Sequence, residues 1–415
     1  MSNVTIVTGF FDLGDTTRSV DWYMDKGKFL LEVDNDMIIF TDSKCYPTIY
    51  KIREKFINKT KFILKELSDF ELYKYRDKIT ENRKDDELYK NTRNTSDYFV
   101  LVSSKFEMLK ISIELNIFNS THFIWIDFGI LNTKHTKKGM IENIIDCIRD
   151  KFSCCYIHYR DINFMKNYSN WHRYFQCGIA GGVLSGNIEH LLKVYKLFTT
   201  KFINVVEQGY GRAEEQILTE VEAENKDLFD VYPGDYYSVL ANYINITEDI
   251  DSVLNNFISN ARANNNNQHA YKACEKLETS INLRLVKLNS HQLMKYYTEY
   301  FISAWYYNNM KSIDIVKNLM NEMNNNTELC QIFLSNIDYY TSTFDFIRML
   351  LPASKNVAIY RDVTLEEIDK LKETYKVYIY KKDFKLRGDY LLTSNPVIRP
   401  SDKIININYD LVIKE

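Results

Sequence analysis

Three short apolar runs constrain this chain more than any other feature. They are VTIVTGFFD at residues 4–12, MIIFTD at 37–42 and FIWID at 123–127, and each runs into an aspartate. Such runs read as buried strands. Between them lie stretches with helical spacing, DWYMDKGKFLLEV (21–33) and SSKFEMLKISIELN (103–116), the second with a serine cap and Glu107 at capping-box spacing. Strands alternating with helices predict an α/β layered domain with a mainly parallel sheet flanked by helices. In such sheets ligands gather at the carboxyl ends of the strands. Asp12, Asp42 and Asp127 therefore mark a candidate site. Asp127 is the sharpest of the three, because a carboxylate in so apolar a run needs a partner, a proton or a metal.

The pattern continues. CCYIHYRDI (154–162) reads as a fourth strand and FQCGIAGGVLSGN (175–187) as a glycine-punctuated strand pair or strand and turn. IEHLLKVYKLFTTKFINVVEQG (188–209) is an amphipathic helix, and the segment from Arg212 reads as helix, short strand and then a turn at Pro233–Gly234. TIYKIREKFINKTKFILKEL (48–67) reads as mostly helix, and residues 71–98 as an exposed helix or mobile segment. Beyond residue 250 come an asparagine run and successive helical segments, then short β runs (NVAIYRD, YKVYIYK, DYLLTS, KIININY) with one helix, TLEEIDKLKETY. The expected division is an α/β domain over 1–250, a helical, repeat-like domain over 251–350 and a small α/β module over 351–415.

Composition narrows the class. A net charge of −3 gives no general electrostatic case for nucleic acid. Seven cysteines, an odd number with no CxxC pair, argue against a disulfide framework or structural zinc and for a reducing, cytoplasmic setting. There is no signal-peptide pattern at the start and no apolar window long enough for a membrane span.

The residues that could carry chemistry fall in order along the chain. In VTGFFD, Thr8 and Gly9 lie at a strand end where a ligand can approach the backbone; Phe10 and Phe11 could stack on a base and Asp12 could accept from a ribose. The same residues equally suit two core rings and a turn cap. Lys105, near a helix start, suits a phosphate or plain solvent exposure. Gly181 and Gly182 imply close backbone approach, to a ligand or to another strand. Glu214 and Glu215 at a helix start could orient an acceptor or act as base, or simply favour the helix N-terminus; Asp235 after the YPG turn could bind metal or sugar, or cap the next helix. No GxGxxG and no GxxxxGK[ST] occurs.

The ordered set TIVTGFFDLGD, IIFTDS, SSKFEMLK, FNSTHFIWIDFGI, GIAGGVLSGN, EEQIL and YPGDYYSVLANY resembles the HtrL/YibB family of GT-A-like glycosyltransferases over roughly residues 1–250. The resemblance implies a nucleotide-diphosphate-sugar donor, UDP-sugar favoured, a hexose-type transfer to a glycan or protein acceptor, and Mn²⁺ or Mg²⁺. It implies Asp127, with Asp235, at the metal; Phe10, Phe11, Asp12 and Asp42 near the nucleoside; Lys105 at phosphate; Glu214 or Glu215 on the acceptor side. The motif departs from Asp-x-Asp, with Gly129 in place of the second acid. Together with the Asn-, Lys-, Ile- and Tyr-rich composition, the resemblance suggests a large DNA virus as source. Oligomerisation would use the helical region. The alternatives are a catalytically degenerate scaffold that works through its helices, and a nucleotidyl- or phosphotransferase.

Overall fold

The computed structural model describes residues 3–14, 18–84, 94–173 and 176–307, and three strands further on. The chain divides into two compact units, Met1–Asn264 with Glu275–Lys287, and Asn265–Cys274 with Leu288–Glu415.

The first unit is built on a seven-stranded sheet in the order β3-β2-β1-β4-β6-β5-β7. The three aspartate-terminated runs form β1 (Val4–Phe10), β2 (Met37–Thr41) and β4 (His122–Ile126). All three are buried almost throughout, as central parallel strands covered on both faces must be. β3 (Thr60–Leu64) is the parallel edge. It falls within the stretch read as mostly helix: α2 (Tyr46–Arg53) and a 3₁₀ turn (Glu54–Lys59) come first, and TKFIL then pairs with β2. Within FQCGIAGGVLSGN, the stretch IAGGVLSGN forms one long strand, β6 (Ile179–Asn187), antiparallel to both β4 and β5 (Ser153–Tyr156). The short β7 (Tyr232–Pro233) pairs parallel with β5. The expected mainly parallel sheet flanked by helices is therefore what the unit adopts.

The chain runs from β1 outward through β2 to β3, then returns to the other side of β1 with β4. That reversal opens a crevice between the carboxyl ends of β1 and β4, the place where open α/β sheets hold ligands. Helices cover both faces. α1 (Val20–Leu31) begins at Ser19, whose hydroxyl accepts from Trp22 N–H at 3.1 Å. α3 (Arg76–Asn82) and α4 (Ser96–Ser103) lead into α5 (Lys105–Leu115). The capping box expected at α5 does not form: Ser104 continues straight from α4, and Glu107 accepts instead from Glu71 N–H at 2.8 Å. α6 (Met140–Asp146), α7 (Ile162–Met165) and α8 (Tyr168–Arg173) are short. α9 (Ile188–Glu207) buries Leu191, Val194, Phe198, Phe202, Val205 and Val206 along one stripe, and α10 (Glu214–Glu224) follows it.

Further helical stretches cover 250–263, Asn267–Asn282 and Ser290–Tyr307. The segments KSIDIVKNLMNEMNNN and TELCQIFLSNIDYYTST lie outside the described residues, as do TLEEIDKLKETY, DYLLTS and KIININY. In the second unit, strands Asn356–Tyr360 (β8), Lys376–Ile379 (β9) and Leu411–Lys414 (β10) form a parallel sheet in the order β10-β8-β9. Among the described residues no helix is long and apolar enough to cross a membrane.

Candidate functional site

A cluster at the ends of β4 and β6 is organised around Lys105. Its ammonium is buried and makes three contacts: Glu214 Oε1 at 2.7 Å, the Gly181 carbonyl at 3.0 Å and Asp127 Oδ1 at 3.3 Å. It also lies 5.6 Å from the centre of the Trp125 ring. An ammonium has three protons, and all three are committed here. Burial by itself would pull this lysine down, but the carboxylates of Asp127 and Glu214 outweigh burial and hold it above its ordinary value.

Asp127 stands just past β4. Its Oδ1 accepts from Trp125 Nε1–H at 2.7 Å and from Lys105, while Oδ2 has no partner among the described residues. Trp125 and Asp127 are two residues apart, so the pleat sends both side chains to one face. The Asp127 backbone N–H donates to the Gly182 carbonyl at 2.9 Å, and a Cβ on Gly182 would stand 3.7 Å from Oδ2. The aspartate is thus held through one oxygen and presents the other; its side chain is 46% exposed.

Gly181 is what lets the cluster close. Its carbonyl accepts from Lys105, its N–H donates to Glu215 Oε1 at 2.9 Å, and a Cβ there would overlap Glu214 Oε1 and come within 3.0 Å of Lys105 Nζ. Glu214 is buried, and burial pushes its carboxyl up to about 7 although Lys105 pulls the other way. Glu215 is held at both oxygens, by Gly181 N–H and by the Tyr236 hydroxyl at 2.7 Å.

The remaining expected residues lie around this centre. Thr8 donates to the Ile126 carbonyl at 2.7 Å and is fully buried; Gly9 packs against Met108. Phe10 stacks on Phe128 with ring centres 5.0 Å apart, and Phe11 meets Phe70 edge-on at 5.6 Å. Both rings are buried in the protein. Asp12 and Asp42 form a second cluster at the tips of β1 and β2. Asp42 accepts from the N–H groups of Asp12 (2.9 Å) and Cys45 (2.6 Å), and Asp12 takes Lys44, whose donated proton is the main reason its carboxyl lies below the usual range. Asp235 is not joined to Asp127 by any hydrogen bond or ion pair; it accepts from Ser252 at 3.0 Å. The YPGDYY turn reaches the centre through Tyr236 instead.

Among the described residues no three His, Cys, Asp or Glu side chains are close enough to share a metal ion. Asp127 Oδ2 is a single hard oxygen. That donor set does not suit a cation held wholly by protein. It suits Mg²⁺ or Mn²⁺ carrying water and phosphate as its other ligands, since such ions commonly use only one or two carboxylates.

The model for a family described as a bacterial protein of unknown function (HtrL_YibB) matches residues 2–244, more than half of the chain. The chain belongs to the HtrL/YibB family. A curated relative, Protein HtrL of Escherichia coli (strain K12), is 27% identical over 161 residues, a match covering 34% of this chain and 55% of that protein. The chain thus spans about half the length of the curated relative it matches. The crystal structure of mouse xyloside xylosyltransferase 1 in its apo form is similar at a TM-score of 0.32 and 11% identity, over 55% of this chain and 84% of that one. In this HtrL/YibB chain the family match ends at residue 244, so it contains the whole centre from Lys105 to Tyr236.

Two residues of the centre escape a reading of the sequence alone. Trp125 carried a signal, its i,i+2 spacing from Asp127. Tyr236 carried none: its contact with Glu215 joins residues 21 apart on different elements.

Proposed function

We propose that the protein is a glycosyltransferase that moves a hexose-type sugar from a nucleotide-diphosphate donor, UDP-sugar favoured, to a glycan or protein acceptor. One observation carries the reading. Asp127 is fixed through Oδ1 and presents an Oδ2 that is unengaged among the described residues, at the carboxyl end of β4 beside Gly182 of β6, where a glycine leaves the space over it open. A preorganised carboxylate at a switch point suits a centre where negative charge develops on a leaving diphosphate, provided a cation accompanies it. In this reading Asp127 touches the donor or the ion that arrives with it, Mn²⁺ or Mg²⁺. Such an ion would supply charge neutralisation at the diphosphate. Lys105 and Trp125 are positioning residues that aim Oδ2. Glu215 acts on the acceptor side through the Tyr236 hydroxyl, and Glu214 keeps Lys105 in place. The expectation of a viral source plays no part in this argument.

The test is an assay of purified protein with UDP- and GDP-sugars plus Mn²⁺ or Mg²⁺, following release of the nucleoside diphosphate. Asp127→Asn preserves the shape and the bond to Trp125, and is expected to lose at least 100-fold in turnover, the order seen when an electrostatic contact to a developing charge is removed. Full activity in that variant would sink the assignment. A second reading, a scaffold that no longer catalyses, draws on the ion pair of Asp127 with Lys105. It predicts no nucleotide-dependent rise in melting temperature with any donor, whereas the transferase reading requires one.

A further inference from the structure

An anionic donor faces an electrostatic difficulty at this centre. Among the described residues Lys105 is the one cation bonded to Asp127 and Glu214, and its three protons already face Glu214, Gly181 and Asp127. Three carboxylates surround that one ammonium, counting Glu215. A phosphate group approaching Asp127 Oδ2 therefore needs a cation from elsewhere.

Arg160 answers that need. It follows β5, and because β4 and β5 are both antiparallel to β6, their carboxyl ends lie on the same edge of the sheet. Arg160 is half-buried, and among the described residues its guanidinium makes a single hydrogen bond, from Nε to the Cys177 carbonyl at a long 3.4 Å. Among the described residues no carboxylate pairs with it, so both Nη amino groups are unengaged. Cys177 lies two residues before β6, so its carbonyl anchors Arg160 beside the strand that carries Gly181 and, through it, Glu215. The other titratable neighbour is His158, whose Nε2 faces the Asn260 side-chain amide at 3.2 Å. Burial, and then the charge of Arg160, hold that imidazole below its ordinary value, so it adds no competing charge near neutrality. A part-buried arginine without an acid is costly to keep, and a planar guanidinium with a free fork matches phosphate geometry.

We propose that Arg160 is a phosphate-binding arm of this site, taking a phosphate or diphosphate group on its two Nη amino groups without requiring a metal. The identification of that group as the diphosphate of a nucleotide rests on the reading given above; the anion chemistry of Arg160 does not.

The experiment is calorimetric titration of the full chain with inorganic diphosphate and, separately, with UDP, in low salt with EDTA. Wild type, Arg160→Lys and Arg160→Gln are compared. Wild type is expected to bind both ligands, Arg160→Gln at least tenfold more weakly, and Arg160→Lys in between, because a point charge replaces a fork. Without ligand, Arg160→Gln should melt no lower than wild type, since it removes an unpaired part-buried charge; a residue with a purely structural role would show the opposite. Equal diphosphate binding by wild type and Arg160→Gln, or no diphosphate binding by wild type, overturns the proposal. Arg160-dependent binding of diphosphate with UDP binding no tighter upholds the arm and counts against the nucleotide reading. UDP binding that Arg160→Gln leaves unchanged does the reverse.

Discussion

Replacing Glu214 by Gln tests the electrostatic account of the centre most directly. Gln keeps an oxygen that can accept from Lys105 but removes the ionisation. Burial pushes the Glu214 carboxyl up from an ordinary 4.5 to about 7 in the folded chain. The native state therefore holds this proton more tightly than the unfolded state does. Stability linked to Glu214 is fully present below about pH 4.5, falls as pH rises, and is lost once pH passes the folded value near 7. The shift corresponds to about 3 kcal/mol at about 1.4 kcal/mol per unit. The stability of Glu214→Gln minus that of wild type should therefore grow from near zero at pH 4.5 to about 3 kcal/mol by pH 8. Urea unfolding at half-unit steps of pH measures it, and the difference between the two proteins cancels the titrating groups that do not interact with Glu214. A flat difference would refute the claim that burial dominates. A difference of opposite sign would show that the ion pair with Lys105 outweighs burial and that Glu214 stays charged through neutrality.

Other perturbations reach other contacts. Gly181→Ala should lower stability by about 1–3 kcal/mol, the usual cost of forcing extra atoms into a packed site, because its Cβ overlaps Glu214 and crowds Lys105; the urea midpoint reads it, and an unchanged midpoint would show the cluster to be loose. Gly27→Ala sets two effects against each other: helix propensity favours Ala by about 1 kcal/mol, but the new methyl overlaps the Phe128 ring, so a net loss is expected and a gain would refute the packing. Trp125→Phe removes one of the two donors to Asp127 Oδ1; stability should fall by about 1 kcal/mol and turnover by more than stability explains, measured at a temperature where both proteins are folded. Gly129→Asp should fold normally, since a Cβ there meets only Tyr23 at 3.7 Å, and should tighten Mn²⁺ binding measured by calorimetry; no gain would mean that position 129 does not face the open oxygen.

The parts of the fold legible in the sequence were those where one local pattern sufficed. β1, β2 and β4 are central strands buried on both faces, so their runs are continuously apolar and their ends are marked by aspartates. α9 has a wide apolar stripe and an asparagine cap. β3 was masked because it is an edge strand: TKFIL is only partly buried, lysines lie within and beside it, and nothing distinguishes it from the helix before it. β6 was ambiguous for a related reason. Its three glycines suggest a turn, yet at Gly181 the missing side chain makes room for Lys105 and Glu214, and at Gly186 for the backbone of Lys151. The site divides in the same way. Asp127 stood out as a charge in an apolar strand, but the contact between Lys105 and Glu214 spans 109 residues and two helices, and no local spacing encodes it.

That long-range contact also explains the single-acid motif. In an Asp-x-Asp arrangement two carboxylates call for a divalent cation. Here Asp127 already has part of its charge met by Lys105, and Lys105 is itself shared among Asp127, Glu214 and, through space, Glu215. In the proposed reading, an incoming anion must therefore be met by positive charge from outside this cluster. Two sources then remain for the missing positive charge: an ion carried in with the ligand, and the unpaired guanidinium of Arg160. They make different demands. An ion-borne mechanism needs Asp127 Oδ2 and is lost in EDTA, whereas the guanidinium works without metal and weakens with added salt. If both operate, Asp127→Asn and Arg160→Gln should reduce donor binding additively in Mn²⁺, and only Arg160→Gln should do so in EDTA. A strongly non-additive result would mean that the two residues grip one phosphate group together.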